Sequence, residues 1–365
     1  MKYIINTKLK TPAYIQLYNQ IKKDIVRGIY PLKSKLPSKR TMALETGVSI
    51  ITIEHAYALL LDEGYIESHE RSGFFVIFSK ADVFLSSDEK IIKHNNNFNN
   101  ILSDFPISVF TKTMRKVMND YGEDIFTKSD NLGCIELREA IKKYLARNRG
   151  IEVELNQIII GSGSEYLYNL IVMLLGKNRI FAIEYPSYHK IEQVYRTMGV
   201  NLEFLNLGLN GIESSELQKT NANVLHVSPY RSFPTGVTAS ASKKYEYIEW
   251  SKKENNFIIE DDFESEFSIS NKPEETIFAL SEYDNVIYLN TFSKTISPSL
   301  RVGYMVLPKC LVNKFIDELG FYSCTVPTFE QYVLAELISN GDFERHINRV
   351  RRKKRKEMFS NIRNN

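Results

Sequence analysis

Thr291-Phe292-Ser293-Lys294-Thr295-Ile296-Ser297-Pro298-Ser299-Leu300-Arg301-Val302-Gly303-Tyr304 is the stretch on which the reading of the chain turns. It follows one short apolar run, Val286 to Leu289, and leads into another, Gly303 to Val306. A polar loop carrying a lysine, an arginine and several hydroxyls therefore joins two strand candidates. A lone lysine after a strand is an ordinary solvated residue. Here it is preceded by a serine and followed by an Arg-x-Gly string. Upstream, Gln157 to Ile160, Ile180 to Ile183, Val224 to Val227 and Phe257 to Glu260 are further strand candidates, with amphipathic helices between most of them. That alternation predicts an α/β domain on a mainly parallel sheet.

Three more segments bear chemistry. Gly161-Ser162-Gly163-Ser164-Glu165 follows a strand and opens a helix, a pattern whose backbone N–H groups can cradle a phosphate, although glycine-serine turns are common. A carboxylate beside a phosphate is unfavourable, so Glu165 is expected to point away. Pro186-Ser187-Tyr188 follows Glu184 and offers an aromatic face, the plainer reading being a core aromatic. Glu260-Asp261-Asp262-Phe263 ends another strand; acidic clusters also bind metals, but no histidine accompanies this one.

The first block runs from Thr11 to Phe78. Thr11 can cap a helix and Pro12 suits its first turn, Tyr14, Leu17, Ile21 and Ile25 mark one face, and Gly28 ends the run. Ser38 starts a short helix through Leu44, closed by Gly47. Ser49 caps a third, with Ile53, Ala56, Tyr57 and Leu60 inward and Gly64 closing it. Tyr65 to Glu67 and Phe74 to Phe78 then read as a β-hairpin. Three helices and a hairpin make a winged helix-turn-helix. Residues 79–103 include the polar run His94 to Asn100 and read as a linker, or alternatively as an ordered surface strap. Residues 104–365 form the α/β body.

The 365 residues suffice for two or three domains, and the formal net charge of +3 is too small for a global argument for nucleic acid. The N-terminus lacks the apolar run of a signal peptide, and no stretch is expected to span a membrane. Three unclustered cysteines, Cys134, Cys310 and Cys324, argue against a disulfide framework and suit a cytoplasmic location. Arg345 to Lys356 is strongly basic; with Ile347, Val350 and Met358 at helical spacing, it reads as the solvated face of a helix rather than a nucleic-acid contact.

Leu36-Pro37-Ser38-Lys39-Arg40, Gly47-Val48-Ser49, Ala56-Tyr57 and Glu63-Gly64-Tyr65 fall at the spacings of the GntR family, which the first block resembles over almost its whole length. The resemblance implies binding to a double-stranded DNA operator, with the third helix in the major groove, Ser49 and Thr52 near the bases, and Ser38, Lys39, Arg40 and Arg71 at the backbone. Two positions depart from the family. Ile50 stands where an arginine usually follows the serine, and Arg71 replaces the wing's turn glycine. Isoleucine cannot pair bidentately with guanine, though it can pack on a thymine methyl.

The Lys294 loop resembles the lysine motif of fold-type I enzymes that use pyridoxal 5'-phosphate (PLP). It is similar above all to the aminotransferase-like domain of MocR regulators, the GntR subfamily that fuses these two blocks. The resemblance implies a PLP-dependent transferase fold with Lys294 forming a Schiff base (aldimine) to PLP. Arg301 would hold the phosphate with Ser164, Thr291 and Ser293, Tyr188 would stack on the ring, and Asp261 would hydrogen-bond the pyridine nitrogen. A tyrosine usually stands at Phe263 and contacts the ring hydroxyl, which phenylalanine cannot do. The family continues beyond Asn365 into a small subdomain bearing a substrate-carboxylate arginine, which this sequence lacks. The expected function is a homodimeric transcription regulator sensing PLP or a small amine or amino-acid effector. The alternatives are a PLP-dependent aminotransferase with an accessory DNA-binding domain, and a DNA-binding protein whose body serves only to dimerise.

Overall fold

The structure is a computed structural model and describes residues 3–6, 11–62, 64–69, 72–78, 105–253, 255–268 and 274–363. The expected linker and Arg71 lie outside the described residues. The chain divides into two compact units, one holding the described residues through Phe78 together with Ala239–Glu246, the other holding the remainder.

In the first unit α1 (Ala13–Val26), α2 (Lys39–Thr46) and α3 (Ile50–Asp62) precede a hairpin of β1 (Ile66–His69) and β2 (Gly73–Val76). Leu17, Ile21 and Ile25 of α1 meet Ile53, Ala56, Tyr57 and Leu60 of α3 in one core, as the helical spacing predicts. The α2 and α3 axes turn through 118°, within the range of a helix-turn-helix. Gly47 makes that turn: its φ of +71° is a left-handed conformation that side chains with a Cβ adopt at a cost. Two details differ from expectation. Pro12, not Thr11, occupies the cap position of α1, with no side-chain cap bond. Lys35 also bridges to Phe75, a third backbone pairing beside the hairpin.

The second unit runs α4 (Ile107–Tyr121), α5 (Ile135–Arg149), β3 (Ile158–Gly161), α6 (Ser164–Leu175), β4 (Ile180–Tyr185), α7 (His189–Met198), β5 (Asn201–Gly208), β6 (Gly211–Ile212), α8 (Ser214–Lys219), β7 (Val224–Val227), α9 (Ala241–Ser251, whose residues through Glu246 are counted with the first unit), β8 (Phe257–Asp261), α10 (Ile277–Leu280), β9 (Val286–Thr291), β10 (Gly303–Val306), α11 (Lys309–Leu319), α12 (Thr328–Ser339) and α13 (Asp342–Arg363). Its eight strands form one sheet in the order β3-β10-β9-β8-β7-β4-β5-β6. Strands β9, β8, β7, β4 and β5 pair in parallel, β10 is antiparallel to both its neighbours, and β6 is antiparallel to β5. The expected mainly parallel sheet is present.

Both faces of the sheet are covered, which is why its central strands read as continuous apolar runs. Alternation along each strand splits the core in two. Ile158, Ile160, Tyr288, Tyr304 and Val306 pack with α5 and α12, whereas Ile159, Phe181, Ile183, Ile259, Ile287 and Met305 pack with α6, α7 and α11. Chain order reverses between β4 and β7, the crevice where open α/β sheets place ligands, beyond the carboxyl ends of the strands.

The basic helix corrects an expectation. Arg352, Lys353 and Lys356 are exposed, as read, but Arg351 and Lys354 turn inward. Arg351 Nε donates to the Glu266 carbonyl at 2.6 Å, and Lys354 Nζ lies 3.7 Å from Glu264. Ile347 is buried, whereas Met358 is exposed.

Candidate functional site

A cleft of about 300 Å³ opens at the carboxyl ends of the parallel strands. The residues read from sequence as a constellation, Ser164, Tyr188, Asp261, Thr291, Ser293, Lys294 and Arg301, all line it. They arrive on separate segments: the first residue of α6, the residue before α7, the last residues of β8 and β9, and the loop from β9 to β10. Tyr168, Ser228, Phe233 and Phe263 complete its walls with Glu165 and Ile191. Thr291 Oγ1 accepts from the Ser293 N–H at 3.0 Å, which shapes the loop just before Lys294. Tyr188 stands edge-on to Phe233, with ring centroids 5.9 Å apart.

Asp261 is buried, yet its Oδ1 has no hydrogen-bond partner. At a cleft wall, such an orphan leaves an acceptor open to a donor from outside the protein. Its other oxygen is fixed: the Tyr168 hydroxyl donates to Oδ2, and His226 Nε2 lies 3.6 Å away. Tyr195 Oη meets His226 Nδ1 at 2.6 Å, so a hydroxyl donating there leaves the Nε2–H facing Asp261. Burial, reinforced by the Asp261 charge, keeps the Tyr168 and Tyr195 phenols un-ionised. Sequence reasoning did not find Tyr168, Tyr195 or His226. The available signals were a histidine within the buried run Val224-Leu225-His226-Val227 and a tyrosine one helical turn beyond Ser164.

Glu165 overturns its expectation. It lines the cleft, its Oε2 pairs with the Arg301 guanidinium, and its Oε1 accepts from Lys190 Nζ at 2.7 Å. Burial pushes its pKa up, but the Lys190 and Arg301 hydrogen bonds and its own backbone N–H outweigh that and hold it at about 2. Gly163 lets this cluster form. A Cβ there would sit 2.9 Å from an Arg301 guanidinium nitrogen, and its φ of +92° disfavours other residues.

Beside the cleft lies a second charged cluster. Arg149, at the end of α5, is 1% exposed and reaches Glu266 at 3.1 Å and Asp262 at 3.4 Å. Asp262 also accepts from the Tyr288 hydroxyl at 2.7 Å, and Glu266 from Asn290 Nδ2 at 2.7 Å. Asp262 directly follows Asp261, so this network anchors the chain where β8 delivers its terminal carboxylate. In the segment Tyr230 to Gly236, Arg231 lies 3.5 Å from Glu264, and Ser232 bonds the buried Glu184. Among the described residues no group of three or more His, Cys, Asp or Glu side chains is arranged to hold a metal ion, and no single helix is long and apolar enough to cross a membrane.

In the first unit Ser38 and Ser49 cap helices. Ser38 Oγ accepts from the Thr41 N–H at 3.1 Å, and Ser49 Oγ from the Thr52 N–H at 3.2 Å. Tyr57 donates to the Pro37 carbonyl at 2.8 Å and ties α3 to the start of α2. Arg40 is exposed. Lys39 is less available than its sequence position implied: it pairs with Glu54 and lies over the Phe74 ring. Ile50 and Ile51 stand exposed at the first turn of α3.

Two family models match, each over one block: "Bacterial regulatory proteins, gntR family" over residues 13–76 and "Aminotransferase class I and II" over residues 92–365. The chain is 32% identical to the HTH-type transcriptional regulator YdeL of Bacillus subtilis, over 97% of this chain and 79% of that protein. It is 27% identical to a probable rhizopine catabolism regulatory protein, MocR of Rhizobium meliloti, over 96% and 76%. Among solved structures, the kynurenine aminotransferase of Pyrococcus horikoshii, complexed with PMP, superposes with a TM-score of 0.62 at 27% identity, covering 68% of this chain and 64% of that one. With both blocks matched in one polypeptide, and regulators of that composition alike over nearly its whole length, the chain belongs to the MocR-type regulators of the GntR family, transcriptional regulators that join a DNA-binding winged helix-turn-helix to an aminotransferase-like domain.

Proposed function

We propose that this regulator holds PLP in the cleft on Lys294 and that PLP, or a small amine or amino acid meeting it there, biases operator binding. The observation that carries the reading is the buried, unpartnered Asp261 Oδ1 in the same cleft as Lys294 and Arg301. The donor set fits the group. Asp261 would accept the protonated ring nitrogen, Tyr188 and the apolar walls would flank the ring, and Arg301 with the Ser164, Thr291 and Ser293 hydroxyls and the α6 N-terminus would take the phosphate. When bound, PLP supplies an aldehyde that captures amines and a ring that withdraws electrons. Lys294 provides the competing amine. Tyr168 and His226 hold Asp261 in place. Phe263 offers no hydroxyl, so proton handling at that side of the ring is poorer than a tyrosine would provide.

The output lies in the first unit. Ser49, Thr52 and the exposed Ile50 and Ile51 would face the major groove, while Ser38, Lys39, Arg40 and Arg71 would meet the backbone. A homodimer suits paired half-sites and the fold-type I architecture, and the reading implies a cytoplasmic protein.

Absorption spectra of the full chain with PLP, beside Lys294→Ala, test the attachment. Wild type should gain a visible band that the variant lacks. Gel shifts with and without PLP test the output; operator affinity that PLP and amines leave unchanged would overturn the sensing role.

A further inference from the structure

We propose that Glu165 is a built-in competitor for the phosphate end of the cleft. Its carboxylate occupies Arg301, Lys190 and the first turn of α6 until a phosphate-bearing ligand displaces it. The inference rests on the cofactor reading above and deepens it by identifying which residue sets selectivity for the phosphate.

The groups that would bind a phosphate are already engaged by an anion. One carboxylate oxygen takes Arg301 and the other takes Lys190, while the residue sits in the first turn of the twelve-residue α6, where unpaired backbone N–H groups favour negative charge. The Arg301 guanidinium lies against Gly163 at the helix start. A phosphate reaching both the helix amides and Arg301 must enter the position the carboxylate holds. Charge gives the same answer. Two cations match one phosphate dianion, but a dianion and Glu165 together would place three negative charges on them. The carboxyl ionises at about 2, so it remains an anion throughout the physiological range and cannot withdraw by protonation.

The competition is weak enough to be reversible. The Glu165 and Arg301 side chains are 22% and 50% exposed, so the pair is partly hydrated and can open without a large desolvation cost. A displaced Glu165 would let go of both Arg301, in the loop that carries Lys294, and Lys190, at the start of α7. Phosphate occupancy would thereby change the contacts among α6, α7 and the Lys294 loop.

The test is titration of the full chain with PLP and with pyridoxal, which lacks the phosphate, for wild type, Glu165→Gln and Glu165→Ala. Loss of one charge-assisted competitor predicts that PLP binds roughly tenfold tighter to both variants while pyridoxal affinity stays the same. Inorganic phosphate should compete with PLP more strongly in the variants. Unchanged pyridoxal binding also shows that the ring site has folded. If the PLP-to-pyridoxal affinity ratio stays constant, or PLP binds less tightly to the variants, Glu165 is no competitor and this inference alone falls. A gain confined to Glu165→Gln means the amide adds a hydrogen bond, which overturns it too. If neither ligand binds any form, the cofactor reading fails with it.

Discussion

Arg149 and Arg301 stand in the same α/β unit, each clasped by carboxylates, yet their surroundings give them opposite roles. Arg149 is 1% exposed between Asp262 and Glu266, themselves 6% and 2% exposed. Arg301 is half exposed and faces a single carboxylate, Glu165, that also holds Lys190. In the buried cluster two acids share one guanidinium, and burial pushes Glu266 above the usual carboxylate range despite Arg149. In the cleft two cations share one acid, and Glu165 is held far below that range. A buried cluster short of cations is a fixture that cannot be opened without stranding charge. A half-solvated cluster rich in cations can exchange its anion. The first is suited to fixing the end of β8, the second to receiving a ligand.

The largest effect expected from breaking this comparison is at Arg149. Arg149→Met would leave Asp262 and Glu266 buried side by side with no guanidinium between them. Stripping one partner from a buried ion pair costs about 3–5 kcal/mol. Thermal or denaturant unfolding of the two proteins measures it. A loss under about 1 kcal/mol would mean that burial does not distinguish the clusters.

Glu184 supplies the limiting case, a buried carboxyl with Ser232 and the Ser228 backbone as partners and the like charge of Asp261 nearby. Burial raises its pKa to about 8 from 4.5, the serine hydrogen bonds opposing only in part. The raised carboxyl is neutral in the folded chain over a range where the unfolded chain has already lost the proton. Its contribution is fully present below the unfolded value of 4.5 and is lost as pH rises toward 8. At about 1.4 kcal/mol for each pH unit, wild type should therefore lose on the order of 4 kcal/mol between those limits, and Glu184→Gln, which has no proton to release, should lose less. Unfolding curves at pH 5 and pH 8 compare the two slopes; parallel slopes would place Glu184 in its ionised form.

The two clusters also divide what the sequence discloses. The parallel strands were legible because burial on both faces leaves apolar runs such as Ile180 to Ile183, and the cleft residues because they cluster at the ends of those runs. Strand β5 was missed. Glu203 and Asn206 break its apolar run, and its mixed burial gives neither clean alternation nor a continuous stripe. Glu165 was misread for an electrostatic reason. Repulsion from a phosphate is a local argument, whereas the attraction that fixes its carboxylate comes from Arg301 and Lys190, 136 and 25 residues away. Arg351 and Lys354 failed likewise, since nothing within α13 signals that Glu264 and Glu266 wait on a distant loop. Periodicity reports which face of an element is buried; it does not report the partner on the other side.

The smallest stability effect, and the sharpest contrast with Arg149, is expected at Arg301. Arg301→Met removes the same functional group from a carboxylate in the same unit, but Glu165 keeps Lys190 and water at hand. Half-exposed pairs of this kind contribute about 0–1 kcal/mol, so the variant should unfold within about 1 kcal/mol of wild type. Added salt should narrow even that gap, because solvent-facing charges are screened while the Arg149 cluster is not. Phosphate selectivity should respond the other way: Arg301→Met should lose the preference for PLP over pyridoxal that Glu165→Gln enlarges. Unfolding and ligand titration on wild type, Arg149→Met, Arg301→Met and Glu165→Gln therefore separate a charge that holds the fold from one that holds a ligand. A large stability loss at Arg301 would place it with Arg149 and leave Glu165 a structural partner rather than a displaceable one.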